Sequence, residues 1–391
     1  QSIQQVFAGA VVNGHVMCIE LLHEKYMKLS DRSSYLTSTA AANDQVECLQ
    51  FLHTRGCAMI DSCVPAAAGR GSLQCLKYIV ENTVWTRYTS DVNAACVAAA
   101  RNGHFECLKY LHELNYPLAD NLCKVAATNG NARCLAYAHN HGCALSVDAG
   151  MAAANIGSLD GLKYFFENGG ERHFLVCHAA ALNGHLHCLQ FAYEHGCSLM
   201  PVYTNAKTNS EYQRCLQVAH RPTSIVEQVA FRKHWGCVLY LILQGCPLTR
   251  GLTAQLARKH KDNMLQLVVE RGCEVAVEVG VRYARIGNLD GLNFALEHGC
   301  GPSLQIPIAA ARKGHYDCVV YAHSQGCPWS EEVCVAAARG NHLDCLRYAR
   351  EHGCRWNSKV LLVAEKMGHD DVVQYAKGNG CPEHIDAVVG V

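Results

Sequence analysis

The chain has 391 residues, half of them apolar, which is enough material for two or three globular domains. Its 34 basic and 34 acidic residues cancel, so no net field favours nucleic acid or acidic lipid as a partner. No apolar run approaches the roughly 18 residues of a membrane-spanning helix, so membrane insertion is not expected.

A fixed period organises the whole chain. Aligning the chain on the position of Cys345 gives fourteen equivalent anchor sites, and ten of the thirteen gaps between them are 27 residues long. The anchors are Cys18, Cys48, Cys75, Cys107, Cys134, Gly161, Cys188, Cys215, Cys237, Met264, Gly291, Cys318, Cys345 and Val372. Such a period is typical of repeat arrays, in which each unit buries its apolar face against its neighbours. One solenoid over residues 1–391 is therefore predicted.

Each repeat is predicted to be helix–turn–helix–turn. A short, alanine-rich first helix ends at a Gly, Asp or Asn four residues before the anchor, because these residues tolerate the left-handed conformation. The second helix has an aliphatic residue directly after the anchor in all fourteen repeats and an aromatic residue three after it in eleven. A second Gly column, eight after the anchor, ends it. The His, Ser or Asn that opens this helix is predicted to cap it.

Along the chain, the period breaks in three places. Longer loops are expected at Glu24–Ser34 and Asn82–Asp91, and one repeat shortens to 22 residues within Met200–His234. This last break is predicted to divide the solenoid into a first arm, 1–220, of about eight repeats, the last irregular, and a second arm, 221–391, of about six repeats and a C-terminal cap. A degenerate repeat, a hinge and a binding site all stay open for residues 200–234.

The recurring pattern AA-x-x-GH-x-x-C-L-x-Y-x-x-x-x-GC resembles the ankyrin repeat. It is most similar to the short, cysteine-rich ankyrin repeats of protists, oomycetes and large DNA viruses, and the resemblance covers essentially the whole chain. The family's T-P-L-H opening is absent, and each unit is about six residues shorter than the usual 33. The resemblance implies an all-α, ankyrin-like solenoid with shortened or absent β-fingers. Such arrays often accompany an F-box, and no F-box-like segment is evident here.

The 24 cysteines fall into three columns: at the anchor, nine residues after it, and eleven or twelve residues before it. Cysteines of one column belong to stacked helices roughly 8–10 Å apart, whereas a disulfide needs Cα atoms within about 7 Å. Nine helical residues separate the anchor from the later column by roughly 13 Å. The thiols are therefore predicted to be reduced and buried, in an intracellular, reducing compartment such as the cytoplasm.

Seventeen of the 22 histidines also occupy three columns: at the start of the second helix, and five and seven residues after the anchor. This recurrence favours capping and interhelical hydrogen bonds, since a catalytic group appears once per site. Metal binding by neighbouring Cys and His, and Cys–His nucleophilic catalysis, stay open as alternatives. The sequence contains no nucleotide-binding, phosphate-binding or zinc-protease motif. We predict no catalytic residue, metal or cofactor.

Residues after the Gly-Cys turn differ most between repeats and are predicted to contact a partner: Met59, Trp85, Leu145, Tyr203, Arg250, Trp329, Arg355 and Trp356. Trp and Arg are frequent interface hot spots, although packing of the two last tryptophans across adjacent turns is a competing interpretation. The ankyrin resemblance implies a non-catalytic scaffold or adaptor that binds protein along its turns or along a concave side lined by first helices. The alternative is a structural subunit or spacer in a larger assembly, such as a viral or organellar one.

Overall fold

The structure is a computed structural model that describes residues 3–26, 35–83, 90–200 and 224–382. These residues form 26 α-helices and no β-strand, so the predicted all-α architecture of helix–turn–helix units is confirmed for them. They include thirteen helix pairs. The eighth predicted repeat, anchored at Cys215, lies outside the described residues. So do most of the two longer loops, the predicted boundary at 220/221 and residues 383–391 of the cap.

The chain groups into two compact units, residues 1–208 and 209–391. In the first unit the helices alternate as first and second members of each pair: α1 Ile3–Val12, α2 Val16–Lys25, α3 Tyr35–Ala42, α4 Val46–Thr54, α5 Cys63–Arg70, α6 Leu73–Asn82, α7 Ser90–Asn102, α8 Phe105–Glu113, α9 Leu122–Thr128, α10 Ala132–Asn140, α11 Val147–Ile156, α12 Leu159–Glu167, α13 Phe174–Leu182 and α14 Leu186–Glu194.

In the second unit the same alternation continues: α15 Ile225–Phe231, α16 Trp235–Leu243, α17 Arg250–Arg258, α18 Asp262–Glu270, α19 Val277–Ile286, α20 Leu289–Glu297, α21 Gln305–Lys313, α22 Tyr316–Ser324, α23 Glu331–Arg339, α24 Leu343–Glu351, α25 Lys359–Met367 and α26 Asp370–Gly378. None of the helices described is long and apolar enough to cross a membrane.

Both predicted turn columns adopt the left-handed conformation. Before the anchor, the glycines of this column have positive φ, as do Asp44 at 56° and Asn341 at 59°. Lys233 at 68° and His260 at 55° take the same conformation although neither residue favours it. All ten glycines eight residues after the anchor also have positive φ. These turns reverse the chain twice per repeat and thereby set the antiparallel helix pairs.

The core of each unit is built from the two helix types in different ways. First helices bury alanines, such as Ala67, Ala99 and Ala180, and lie against the first helices of the neighbouring repeats. Second helices bury the anchor and the following leucine, as in Cys107 and Leu108, and make less extensive contact with one another. Small side chains let the first helices approach closely, which is the packing that the alanine-rich sequences predict.

The thiols are part of this core. Of the cysteines in the part of the chain that the structure describes, Cys18 is exposed, Cys273 is half-buried, all the others are buried, and none is in a disulfide. Burial raises the pKa of most of them, for example to about 12 for Cys75. Such thiols act as small apolar side chains rather than as nucleophiles.

Candidate protein-interaction surface

The histidines five residues after the anchor join successive second helices. In each of four repeats the Nδ1 atom lies 2.9–3.1 Å from the tyrosine hydroxyl of the next repeat, in the pairs His53–Tyr78, His112–Tyr137, His139–Tyr164 and His323–Tyr348. The two partners are always 25 residues apart. The predicted interhelical role of this column is confirmed.

The histidines seven residues after the anchor act within their own helix. The Nδ1 atom of each lies 2.8 Å from the carbonyl oxygen four residues earlier, at His141, His195, His298 and His352. The same carbonyl oxygen also accepts a hydrogen bond from the backbone amide of the histidine, at 3.1–3.2 Å, so the ring adds a second hydrogen bond at the helix C-terminus. Each ring also packs on the aromatic side chain of the same turn, as His352 does on Tyr348 with centroids 4.0 Å apart. This column therefore stabilises the helix C-terminus.

The histidines that open the second helix do not cap it, so that part of the sequence prediction is wrong. None of the seven in the described residues accepts a hydrogen bond from its own helix. Instead, Nε2 of His315 lies 3.1 Å from the carbonyl oxygen of Arg285, which ends a first helix in the preceding repeat. The glycine at the turn makes room, because a Cβ on Gly287 would lie 2.5 Å from this ring.

Side-chain caps are made elsewhere in the same column. Ser158 and Asn288 accept hydrogen bonds from the amides of Gly161 and Gly291, respectively, as the sequence predicts. Ser72 and Asn131 in the same column make no such cap, and the Asn131 amide donates instead to the carbonyl oxygens of Ala100 and Arg101 in the preceding repeat.

These contacts account for most of the polar side chains that recur in the array. Burial, followed by the neighbouring His141, lowers the pKa of His112, and burial together with His352 does the same for His323. Both rings are therefore held in the neutral form that their tyrosine partners bind. No cluster of three or more His, Cys, Asp or Glu that could hold a metal ion occurs within the described ranges.

The predicted partner contacts fall into three groups. Arg250 and Arg355 are exposed, and Met59, Leu145 and Trp329 are half-buried. The side chain of Trp356 is only 8% exposed. Its ring packs against Tyr375, with centroids 6.2 Å apart, and beneath the Arg350 guanidinium at 4.8 Å, which agrees with the packing interpretation. Trp85 and Tyr203 lie outside the described residues.

Arg250 also has a role within the fold. Its guanidinium donates hydrogen bonds to the carbonyl oxygens of Val275 at 3.2 Å and Gly299 at 3.0 Å. One side chain thus joins the turns of the two following repeats. Its exposed face lies on the turn side of the second unit.

A groove in the second unit collects several of the side chains that interfaces favour. Its volume is about 320 Å³, and it is lined by Tyr316, Asp344, Arg347, Tyr348 and Glu351, from α22 and α24. Tyr316 is 43% exposed and packs edge-on against Tyr348, with centroids 5.6 Å apart. We call this feature the α22–α24 groove.

Trp329 adjoins the α22–α24 groove through a cluster of rings. Its centroid lies 4.6 Å from that of His323 and 6.2 Å from that of Tyr348. The indole Nε1 is buried and has no hydrogen-bond partner in the structure. A buried donor of this kind is costly unless a partner is supplied. Of the predicted contacts that the structure describes, Trp329 is therefore the one placed beside a groove.

Sequence reasoning missed Tyr316 and Arg347. The position of Tyr316, two before the anchor, is Val or Leu in half of the repeats and already aromatic at Phe105 and Trp235, so an aromatic residue there is a weak signal. Arg347 lies over the ring of Tyr375, 5.4 Å from its centroid. The sequence therefore carries little information that identifies this surface.

The first helix pair has a second exposed surface. Met17 is 71% and Leu21 52% exposed, and the anchor Cys18 is exposed, unlike the described anchor cysteines of the later repeats. Cys18 and Leu21 border an apolar depression that also includes Val6 and Leu22. This surface is less polar than the α22–α24 groove and contains no Trp or Arg.

Comparison with known proteins adds little to this description. No family model matches the sequence, and no curated protein matches it. Among solved structures, the chain is similar to the human ASB11 ankyrin repeat domain, with a TM-score of 0.33 and 16% sequence identity. The match covers 58% of this chain and 96% of that one. A similarity of this size carries no argument about function, so the case below depends on the residues themselves.

Proposed function

We propose that this protein is a non-catalytic, ankyrin-type interaction scaffold or adaptor that binds a protein partner. The α22–α24 groove carries the proposal, because it places Tyr316, Arg347 and Tyr348 beside the unpaired indole Nε1 of Trp329. Tyr, Trp and Arg dominate interface hot spots.

The charges of the groove favour a mixed, protein-like partner. Asp344 and Glu351 lie in the same lining as Arg347. A polyanion such as nucleic acid prefers a surface of one sign, and the balanced charge of the whole chain argues in the same direction. The turn residues Arg250 and Arg355 are proposed to extend the contact within the second unit, and Met59 and Leu145 are proposed as separate contacts in the first unit.

Two features of the described residues support the non-catalytic part of the proposal. The recurring histidines are used in helix-to-helix and carbonyl contacts, and burial raises the pKa of most of the thiols above their ordinary range. A nucleophile with a raised pKa is protonated at neutral pH and reacts slowly. The predominance of buried free thiols also supports a reducing, intracellular location, for which the cytoplasm is our proposal.

The test is affinity capture from the native source with the full chain and with a Tyr316→Ala/Arg347→Ala variant. A partner lost from the variant at unchanged helical content supports the proposal. Lys77→Ala is the matched control, because Lys77 occupies the position of Arg347 in another repeat and lies 5.8 Å from the Tyr110 centroid. It should retain the partner.

Two results would refute the proposal. If the double variant captures every protein that the wild type captures, the groove is not the interface. Recovery of the chain as a stoichiometric subunit whose contacts extend along many repeats would instead favour the structural alternative.

A further inference from the structure

Three repeats carry a cysteine in the first helix and another twenty residues later, in the Gly-Cys turn. In the third of these pairs the thiol of Cys334 donates a hydrogen bond to the sulfur of Cys354, with an Sγ–Sγ distance of 3.4 Å. In the other two the first-helix thiol donates to the backbone carbonyl of its partner, at 3.6 Å for Cys123 and Cys143 and 3.8 Å for Cys177 and Cys197, and a hydrogen bond from the Cys177 thiol also lowers the pKa of Cys197.

The contact is a property of the repeat and not of one pair. Gly280 and Cys300 have the same twenty-residue separation, and a Cβ on Gly280 would lie 2.7 Å from the sulfur of Cys300. The first-helix position and the turn cysteine therefore face each other whichever residues occupy them. Where both are cysteines, two thiols are brought together in the interior of a repeat.

We propose that Cys334 and Cys354 are an oxidisable pair that forms a disulfide within one repeat when the protein meets a peroxide. An S–S bond is about 2.05 Å long, so the sulfurs must approach by little more than 1 Å, which rotation of the two side chains provides. Both cysteines are at most 1% exposed, which restricts the reaction to a small oxidant. The proposal does not depend on the function proposed above.

The surroundings of Cys354 make it the first to react. A hydrogen bond from the thiol of Cys334 and the positive charge of Arg350 lower the pKa of Cys354, although burial opposes them. The same hydrogen bond, with burial, raises the pKa of Cys334. The thiolate is the nucleophile of thiol chemistry, so Cys354 attacks the peroxide and Cys334 resolves the product.

The steps balance. The Cys354 thiolate forms a bond to one peroxide oxygen, the O–O bond breaks, and the departing hydroxide takes up a proton to become water, leaving a sulfenic acid. Cys334 then loses its proton, its sulfur attacks the sulfenic sulfur, and the S–O bond breaks to release a second water. In sum, two thiols and one hydrogen peroxide give one disulfide and two waters, and a dithiol reductant reverses the oxidation.

The bond would join α23 to the turn that follows α24. That turn continues into Arg355 and Trp356, and the Cys354 thiol also donates a hydrogen bond to the carbonyl oxygen of Ser330 at 3.2 Å, which the thiolate gives up. Oxidation would therefore hold the predicted contact residue Arg355 in a fixed position relative to α23.

The experiment uses the full reduced chain exposed to hydrogen peroxide, quenched, alkylated and digested without reductant. We expect a cross-linked peptide joining residues 334 and 354, a mass loss of about 2 Da for the two hydrogens, and loss of these two sites from the alkylated set. Dithiothreitol should restore both. The pair Cys123/Cys143 in the same sample should cross-link more slowly, because burial raises the pKa of both of its thiols.

Cys354→Ala should abolish the cross-link and leave Cys334 open to alkylation after unfolding. Cys327→Ala is the matched control, because Cys327 occupies the same turn one repeat earlier and the residue twenty positions before it is Pro307. It should leave the cross-link unchanged. Complete alkylation of Cys334 and Cys354 in the peroxide-treated wild type, or their pairing only with other cysteines, would overturn the proposal whether or not the variants fold.

Discussion

The sharpest stability prediction concerns Gly291 and Tyr283. A large ring on one helix fills the space left by the missing side chain on the next helix. Gly291 stands at an anchor site that is usually Cys, and Tyr283 stands on α19 where most repeats have Ala. The tyrosine ring, 5% exposed, takes the space that an anchor side chain would fill. A Cβ added to Gly291 would lie 2.5 Å from Cδ1 and 2.7 Å from Cε1 of this ring.

The ring cannot easily move away. The hydroxyl of Tyr283 donates a hydrogen bond to Asp262 at 2.9 Å, and Asp262 is paired with Arg282 at 2.8 Å. In an exposed helix, replacing Gly by Ala gains about 1 kcal/mol. Overpacking a filled site costs about 1–3 kcal/mol. Gly291→Ala should therefore lower the free energy of unfolding by up to about 2 kcal/mol.

The chain provides its own control at Gly161, which also replaces an anchor cysteine. There an added Cβ would lie 3.2 Å from the Ala153 methyl and 2.9 Å from Ser158 Oγ, and it would meet no ring. Gly161→Ala should change the free energy of unfolding by less than Gly291→Ala does. Urea denaturation followed by circular dichroism measures both, and hydrogen exchange shows whether the loss is centred on α19 and α20.

A double-mutant cycle separates crowding from other causes. Tyr283→Ala alone should cost about 3–5 kcal/mol, as for other large buried rings. With the ring removed, Gly291→Ala should no longer be unfavourable, so the two changes should couple by about 1–3 kcal/mol. If Gly291→Ala proves stabilising in the wild-type background, or if the two effects simply add, the ring does not limit this position.

Three further predictions concern a turn with positive φ, a hydrogen bond between successive second helices, and the dependence of stability on pH. Lys233→Gly should raise the free energy of unfolding by about 1 kcal/mol, because glycine adopts the positive φ of this turn without strain; an unchanged urea midpoint would contradict this. Tyr137→Phe should lower it by about 1 kcal/mol through loss of the contact with His112, and an NMR titration should show the environment of that ring altered. Burial lowers the pKa of His178 and of His112 in the folded state. The pKa of these histidines in the unfolded chain is near 6.5, so below this pH the unfolded chain binds more protons than the folded protein does. The free energy of unfolding should therefore fall as the pH drops from 7 towards 5. Urea midpoints measured over this range test whether it falls.

The sequence predicts the helix pairs well because their signals are local. A glycine that must take positive φ, as at Gly287, is recognisable without knowledge of its neighbours. The leucine after each anchor likewise marks the buried face of its own helix, as Leu108 and Leu346 show. Turns, helix types and the apolar face could all be inferred on this basis.

The misassigned histidines depend on space that another repeat provides. His315 could cap its own helix, as Ser158 caps α12, but Gly287 leaves an opening into which the imidazole fits. The direction of a long side chain depends on such openings in the packing, and an alignment of the repeats does not show them. The contact between Cys334 and Cys354 was missed for a related reason. The distances that follow from the sequence are those within one cysteine column and those along one helix. The contact instead links the first helix to the turn after the second helix.

The constant spacing of the contacts between repeats has a consequence for how such a chain can change in length. The imidazole–phenol bonds join residues 25 apart, and the imidazole–carbonyl bonds join residues 30 apart. Removing or duplicating one whole period brings equivalent positions of two repeats together at the new junction. Each hydrogen-bonding position there still faces the position that it normally contacts. Unequal recombination in whole periods would thus preserve the bonding scheme, whereas a deletion of any other size would break it at the junction.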